Sequence, residues 1–227
     1  MSKGLSEFGF IDSFCSNLGV TDESVILGVG DDAALIDVPP GHSLAVSTDT
    51  MNEGQHFFAD ANPSELAHKL LHVNLSDMAA MGAIPRWATL SASLPALDQS
   101  WIELFFKGMQ SALLDARVRV IGGDTTKGPR SFTLTIMGLI PEGVALKRST
   151  AQIGDGLYVS GSVGGAALGL YLEKARRDNH SSIGKTMLLS ERDQLALTRL
   201  HLPHARLDLA TSLLGHTHAC IDVSDGL

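Results

Sequence analysis

Residues 62–94 read NPSELAHKLLHVNLSDMAAMGAIPRWATLSASL, and they predict one helix followed by one strand. Asn62 precedes a proline, and a glutamate follows within the first turn, which is typical of the start of a helix. The helical pattern continues to Met81, where Gly82 and a proline three residues later end it. The run Trp87–Leu94 predicts a strand directly after the helix.

Further elements are predicted on both sides of this stretch. Apolar residues at helical spacing predict a helix in residues 5–18, and Asp98 is a suitable cap for a helix that runs to Ala116. The predicted strands are Val25–Leu27, Ala34–Val38, Leu44–Ser47, Val118–Ile121 and Phe132–Ile140. This order fits an α+β fold, in which helices pack on one face of a mixed β-sheet.

The chain is predicted to contain two domains. Residues 141–156 are polar and rich in proline and glycine, which places a boundary near residue 148. Residues 1–148 form the predicted N-terminal domain, and residues 149–227 begin a second α/β domain. The predicted elements of the second domain are a strand at Leu157–Ser160, a helix at Ala166–Ala175, two short helices and a last strand at Ala219–Val223. Because the chain stops directly after a predicted strand, we expect this domain to be incomplete and the chain to belong to a longer protein.

The composition argues against several classes of function. The net charge is −8, from 17 Lys and Arg against 25 Asp and Glu, whereas nucleic acids and anionic membranes favour basic partners. No stretch approaches the roughly 18 apolar residues that a membrane-spanning helix needs, and the first ten residues do not resemble a secretory signal. Cys15 and Cys220 are the only cysteines, and we expect them to be core residues. A cytoplasmic location is therefore expected.

Aspartates beside small residues recur along the chain, most of them at the ends of predicted strands. They are Asp31, Asp32, Asp49, Asp77, Asp124, Asp222 and Asp225. Small neighbours leave room for a ligand, and carboxylates near hydroxyls are the ligands that Mg²⁺ prefers. Converging carboxylates also need cations to remain ionised. The pattern predicts an Mg²⁺ site that holds a nucleotide triphosphate, although one such aspartate alone is more often explained by a turn or a cap, and Asp77 alone by a solvated helix face.

Other catalytic signatures are absent or ambiguous. The sequence has no GxxxxGK[ST] loop, and residues 28–30 form a lone GxG followed by acids. His56 could contact a ligand or be partly buried, and His68 and His72 share a helix face without the HExxH arrangement of a zinc site. Arg148 could be a solvated linker charge or a phosphate-binding guanidinium.

Six ordered segments resemble the thiamine-monophosphate kinase family. They are GDDAAL at 30–35, STDTMNEGQHF at 47–57, HVNLSDMAAMGAIPRWATLSASLP at 72–95, GGDTTKGP at 122–129, GDGLYVSGSVG at 154–164 and IDVSDGL at 221–227. The resemblance implies transfer of the γ-phosphoryl group of ATP to the phosphate of thiamine monophosphate, which gives thiamine diphosphate. It also implies several Mg²⁺ ions, a homodimer and an active cleft between two α/β domains.

The same resemblance implies roles for individual residues. The implied metal ligands are Asp32, Ser47, Thr48, Asp49, Asp77, Asp124, Asp222 and Asp225. The implied ATP contacts are Gly123, Asp124, Arg148 and Ser224, and His56 is an implied contact to the thiamine substrate. No general base is expected, because the acceptor is a phosphate with a low pKa and the transfer mainly needs positioning and charge neutralisation.

Two alternatives to a kinase stay open at this level. The first is a sister enzyme of the aminoimidazole ribonucleotide synthetase type, which uses ATP to activate a carbonyl oxygen. The second is a non-catalytic module for dimerisation and for binding of metal and nucleotide.

Overall fold

The structure, a computed structural model, describes residues 18–178, 189–224 and 226. Its elements are β1 (Val25–Leu27), β2 (Leu35–Ile36), β3 (His42–Asn52), α1 (Pro63–Met81), β4 (Ile84–Leu94), α2 (Gln99–Ala116), β5 (Arg119–Lys127), β6 (Ser131–Pro141), a 3₁₀ turn (Arg148–Thr150), α3 (Gly165–Arg177), α4 (Glu191–His201) and α5 (Leu207–Leu213). None of the helices in these residues combines the length and the hydrophobicity that crossing a membrane requires. The helix predicted in residues 5–18 falls almost entirely outside the described residues, and Cys15 lies there too.

The chain divides into two compact units. The first unit contains the chain up to Ala151 and also Ala205–Asp222, and the second contains Gln152–His204 and the residues from Val223. The sequence predicted a single division near residue 148, whereas in the structure Ala205–Asp222 also belongs to the first unit. Burial stabilises the packing of this segment on the first unit, since Ala205 belongs to the hydrophobic core of that unit and α5 packs on α1.

Helix α1 begins and ends where the sequence predicts. The Asn62 side chain accepts hydrogen bonds from the backbone N–H groups of Ser64 and Glu65, so it satisfies donors that have no partner inside the helix. Gly82 ends the helix in the left-handed conformation at φ 71°, which a residue with a side chain adopts only with strain. Local cap chemistry therefore sets both ends of the helix.

The first unit is built on a four-stranded mixed sheet in the order β3-β6-β4-β5. β4 and β5 are parallel, and the other neighbours are antiparallel. Helices α1 and α2 pack together on one face, where apolar residues of the sheet such as Leu90, Phe132, Leu134 and Ile136 complete the core. The α+β fold with helices on one face of a mixed sheet is confirmed.

The opposite face of the sheet is partly covered by the β1–β2 hairpin. Trp87, Ile121 and Leu139 form a second apolar cluster with residues of this hairpin. The Arg86 guanidinium pairs with the Asp22 carboxylate at 2.9 Å, and the Asp22 side chain is only 3% exposed. A salt bridge and an apolar cluster therefore hold the hairpin against β4.

Two predicted strands are not strands in the structure. Leu157–Ser160 and Ala219–Val223 have apolar sequences, but the sheets of the described residues contain only β1–β6. The side chains of Leu157 and Tyr158 are 85% and 93% exposed. A strand is stabilised by hydrogen bonds to a neighbouring strand, and neither segment has one there.

Strands β3 and β5 extend well beyond their predicted C-terminal ends. β3 runs to Asn52 and β5 runs to Lys127, so Asp49 and Asp124 lie inside strands and not at their ends. The prediction that strand ends carry these aspartates is wrong. The threonines that follow each aspartate favour extended backbone and continue the pairing with β6 and β4.

Candidate active site

Helix α1 and strand β3 meet along a line of polar contacts, which we call the α1–β3 seam. It consists of three pairs of hydrogen-bonded residues, Ser47–Asp77, Asp49–Asn74 and His56–Lys69. From one pair to the next, the residue number falls along β3 and its following turn as it rises along α1. The two elements therefore run in opposite directions. The seam brings three of the implied site residues of β3 and its turn to one implied residue of the helix.

The acidic end of the seam is held by one hydrogen bond between side chains and two between a side chain and the backbone. The Ser47 hydroxyl donates to the Asp77 carboxylate at 2.5 Å. The Asp49 backbone N–H donates to the Asn74 side-chain oxygen at 3.2 Å, and the Asn74 amide donates in turn to the Leu70 carbonyl at 2.9 Å. Asn74 is fully buried, so both functions of its amide need partners and both have one.

The Asp49 carboxylate is half-buried among charges. Burial raises its pKa, and the nearby negative charges of Asp77 and Asp222 raise it further, while His56 acts in the opposite direction. A raised pKa means that the ionised carboxylate is less favourable here than in water. The site therefore favours a cation beside Asp49.

The donor set fits Mg²⁺. Hard carboxylate and hydroxyl oxygens from Asp49, Asp77, Asp222 and Ser47 meet the preference of this ion, and the excess negative charge is what a divalent cation would neutralise. Within residues 18–178, 189–224 and 226, no three aspartate, glutamate, histidine or cysteine side chains already converge on one metal position. Mg²⁺ does not need a preformed group of three side chains, because it is commonly bound by one or two carboxylates together with waters and substrate phosphates.

His56 is held in one orientation. Its Nδ1 accepts a hydrogen bond from the Asn52 backbone N–H at 3.0 Å, and its own backbone N–H donates to the Asn52 carbonyl. The Lys69 ammonium donates to the His56 carbonyl at 3.2 Å. An accepting Nδ1 places the proton of the neutral ring on Nε2, so the exposed side of the ring presents a donor to a ligand.

Other implied metal ligands lie away from the seam. The Thr48 hydroxyl bonds to the Thr135 hydroxyl at 2.9 Å on the opposite face of the sheet. Asp32 is exposed in the connection between β1 and β2, where its backbone N–H donates to the Asp31 carboxylate. Asp225 lies outside the described residues.

Asp124 and Gly123 lie on the far edge of the sheet from Asp49. Strand register pairs Asp49 with Leu134, Leu134 with Leu90 and Leu90 with Gly123. Three strand spacings of about 4.8 Å separate the two edges by about 14 Å. The sheet of one chain therefore does not bring Asp124 into contact with the acidic end of the seam, contrary to the expectation that the aspartates converge.

The remaining implied ATP contacts lie in three places. Gly123 has φ 153°, and a Cβ there would lie 1.9 Å from the Leu90 carbonyl oxygen, so only glycine fits whether or not ATP binds. Arg148 begins the exposed 3₁₀ turn of the first unit. Ser224 belongs to the second unit, two residues after Asp222 of the first.

Sequence reasoning missed Asn74 and Lys69. The signal for Asn74 was available, because an amide among the buried leucines of α1 must have hydrogen-bond partners. Nothing in the sequence distinguishes Lys69 from a solvated helix lysine. Cys220 is half-buried and not part of the core, contrary to expectation, and burial raises the pKa of its thiol.

Comparisons with known proteins identify the family. The family described as "AIR synthase related protein, N-terminal domain" matches residues 30–140. A thiamine-monophosphate kinase from Haemophilus influenzae is 41% identical over 224 residues, which are 98% of this chain and 65% of that protein. One from Aquifex aeolicus is 33% identical over 228 residues, which are 99% of this chain and 68% of that protein. The chain belongs to the thiamine-monophosphate kinase family.

Solved structures of the thiamine-monophosphate kinase family share its fold. The enzyme from Stenotrophomonas maltophilia K279a matches with a TM-score of 0.79 and 42% identity, over 90% of this chain and 64% of that one. AaThiL, solved in complex with AMPPCP and TMP, matches with a TM-score of 0.73 and 28% identity, over all of this chain and 68% of that one. The chain spans about two thirds of the length of the family members that it matches.

Proposed function

We propose that the chain carries the ATP and Mg²⁺ site of a thiamine-monophosphate kinase. In the reaction, an oxygen of the thiamine monophosphate phosphate forms a bond to the γ-phosphorus of ATP. The bond from that phosphorus to the β,γ-bridging oxygen breaks, which gives thiamine diphosphate and ADP. The observation that carries the proposal is the half-buried Asp49 carboxylate, whose pKa is raised by burial and by the charges of Asp77 and Asp222, because a carboxylate in such surroundings is stabilised by the cation that phosphate transfer uses.

We assign the residues of the seam to different ligands. Asp49 and Asp77 would hold Mg²⁺, with Ser47 and Asp222 beside them, and the ion would neutralise the charge of the transferring phosphates. Ser47 orients Asp77 through its hydroxyl, and Asn74 fixes the backbone at Asp49. His56 offers Nε2–H to the acceptor. An ionised phosphate acceptor needs no proton removed by a side chain, so positioning is the main contribution of the protein.

The other implied residues remain proposals. Asp32, Thr48, Asp124 and Asp225 would complete the metal set, and Gly123, Arg148 and Ser224 would contact ATP. The relative solved with AMPPCP and TMP supports both substrates for the family. Because Asp49 and Asp124 lie on opposite edges of the sheet, ligands that include Asp124 would have to span about 14 Å or lie at a second position.

A direct assay tests this function. The chain is incubated with ATP, Mg²⁺ and thiamine monophosphate, and thiamine diphosphate is measured by chromatography after oxidation to the fluorescent thiochrome. Product formation that depends on all three components supports the kinase. Turnover with a formyl-amidine-type substrate but not with thiamine monophosphate identifies a synthetase, and calorimetric binding of Mg–ATP without turnover identifies a non-catalytic module.

We also propose a homodimer that uses the exposed face of the sheet opposite α1. On this face, Leu44 and Val46 of β3 are 39% and 57% exposed and lie two residues apart, so they form a small exposed apolar surface. Two such faces packed together would cover it. Light scattering after gel filtration tests this, since Val46→Glu should shift the species to a monomer; a wild-type monomer refutes the dimer.

A cytoplasmic location and the lack of nucleic-acid or membrane partners are likewise proposed. The acidic net charge supports the lack of nucleic-acid and anionic-membrane partners. The cytoplasmic location is supported by the proposed reaction, which consumes ATP. Fractionation of cells that express the tagged chain tests the location.

A further inference from the structure

Lys69 is a half-buried cation on α1 with an incomplete set of partners. Its ammonium donates one hydrogen bond, to the His56 carbonyl at 3.2 Å, and an ammonium has three donors. Burial lowers the pKa of Lys69, and no opposite charge counters this effect. In the described part of the chain, not even Glu65, one helical turn earlier, forms an ion pair with it.

The position of Lys69 relates it to the acidic end of the seam. Lys69, Val73 and Asp77 are spaced four residues apart, so they lie on one face of α1, and the first and last are separated by about 12 Å along the axis. Lys69 contacts the turn that holds His56, and His56 is close enough to Asp49 to lower its pKa. The seam thus has a cationic end at Lys69 and an anionic end at Asp49 and Asp77.

We propose that Lys69 binds the phosphate of the acceptor substrate, at the His56 end of the α1–β3 seam. The inference rests on the proposed kinase function. A half-buried ammonium without a counter-charge is less favourable than one in water, and a phosphate monoester is the anion that the reaction itself brings to this site. The two donors that remain on Nζ would contact its oxygens, while the third keeps the His56 turn in place.

The acceptor is a better occupant than ATP for a physical reason. A cation at one end and carboxylates at the other separate the two kinds of phosphate. The triphosphate would be neutralised by Mg²⁺ at Asp49 and Asp77, whereas the acceptor phosphate would be neutralised by the protein itself. Without Lys69, two groups of phosphate oxygens would approach each other with too little positive charge between them.

The test compares Lys69→Met and Lys69→Arg with Lys107→Met, which removes an exposed lysine from α2. Binding of thiamine monophosphate, inorganic phosphate and Mg–ATP is measured by calorimetry, KM and kcat by the product assay, and the thermal midpoint by calorimetric scanning. Loss of a charge-assisted hydrogen bond predicts that Lys69→Met weakens binding of thiamine monophosphate by about 10- to 100-fold. Affinity for Mg–ATP should stay within about threefold, and Lys107→Met should resemble the wild type.

Stability separates binding from a structural role. Removing an uncompensated half-buried charge should offset the loss of the hydrogen bond to His56, so the thermal midpoint of Lys69→Met should be unchanged or higher, and Lys69→Arg should recover part of the lost affinity. Unchanged affinity for thiamine monophosphate in Lys69→Met, a loss confined to Mg–ATP, or a lower thermal midpoint with equal losses for both ligands would each overturn the proposal. Wild-type turnover decides the kinase function separately, because the binding measurements need no turnover.

Discussion

Replacing Asp49 by Asn tests two effects of its negative charge separately: its effect on the stability of the fold and its contribution to Mg²⁺ binding and activity. The substitution keeps the shape of the side chain and removes one of the negative charges that meet at the acidic end of the seam. In the described residues the Asp49 carboxylate makes no hydrogen bond, and the bond from the Asp49 backbone N–H to Asn74 is retained with Asn at position 49. The change in stability should therefore come from charge alone.

The expected magnitude follows from the surroundings of the carboxylate. Burial and two neighbouring carboxylates oppose ionisation, so relief of this repulsion should stabilise the fold without metal by about 1 kcal/mol. For a folding unit of this size, that corresponds to a rise in the thermal midpoint of about 2–4 °C. Activity should fall at least about 100-fold, because a metal contributes several kcal/mol to the transfer and about 1.4 kcal/mol is a factor of ten.

The assay is calorimetric scanning with and without Mg²⁺, combined with the product assay. Asp37→Asn, which removes an exposed charge near β2, serves as the matched control and should change neither measurement. Mg²⁺ should raise the midpoint of the wild type more than that of Asp49→Asn. A lower midpoint for Asp49→Asn without metal would refute the reasoning, since it would mean that the carboxylate stabilises the fold.

Three further predictions concern the framework of the site. Asn62→Ala should lower the thermal midpoint by about 2–4 °C, because loss of an N-cap costs about 1 kcal/mol, and Asn62→Ser should restore most of it. Gly108→Ala should destabilise the protein by about 1–3 kcal/mol despite the higher helix propensity of Ala, since its Cβ would lie 2.5 Å from the Ser64 carbonyl oxygen; a raised midpoint would contradict the close packing of α1 and α2. Burial alone would raise the pKa of Asp22, but hydrogen bonds from Ser24 and the Arg86 guanidinium lower it below its usual 3.8. The ionised carboxylate therefore stabilises the fold above pH 3.8, and this stabilisation is lost as the pH falls through the lowered pKa. At neutral pH, Asp22→Asn should be less stable than the wild type by about 1–2 kcal/mol. Urea unfolding measures this difference, which should disappear in acid.

The helices of the first unit were predictable because their ends are local. Asn62 and Gly82 bound α1, and Asp98 caps α2, through contacts within three residues of the cap. The strands were predicted less accurately. The apolar run Leu157–Ser160 has the composition of a strand, but no neighbour supplies the hydrogen bonds that would make it one.

The sequence predicted which types of residue form the candidate site, but only partly which of those residues lie close together. Ser47, Asp49, Asp77 and Asp222 do share one neighbourhood. Asp124 does not, because the strand order β3-β6-β4-β5 separates its strand from β3, and no local pattern encodes strand order. Lys69 was missed because a lysine on a helix has the same local sequence whether its ammonium is solvated or buried.

By itself, the sequence determined the family, the class of fold, the bounds of α1 and α2 and the types of residue that can bind a metal and phosphates. These depend on motifs and on contacts within a turn of helix. Tertiary structure decided that Asn74 holds Asp49, that Lys69 holds the His56 turn, and that Ala205–Asp222 returns Asp222 to the first unit. Those contacts join residues distant in the chain, so their geometry depends on how α1 packs against the sheet and not on any local preference.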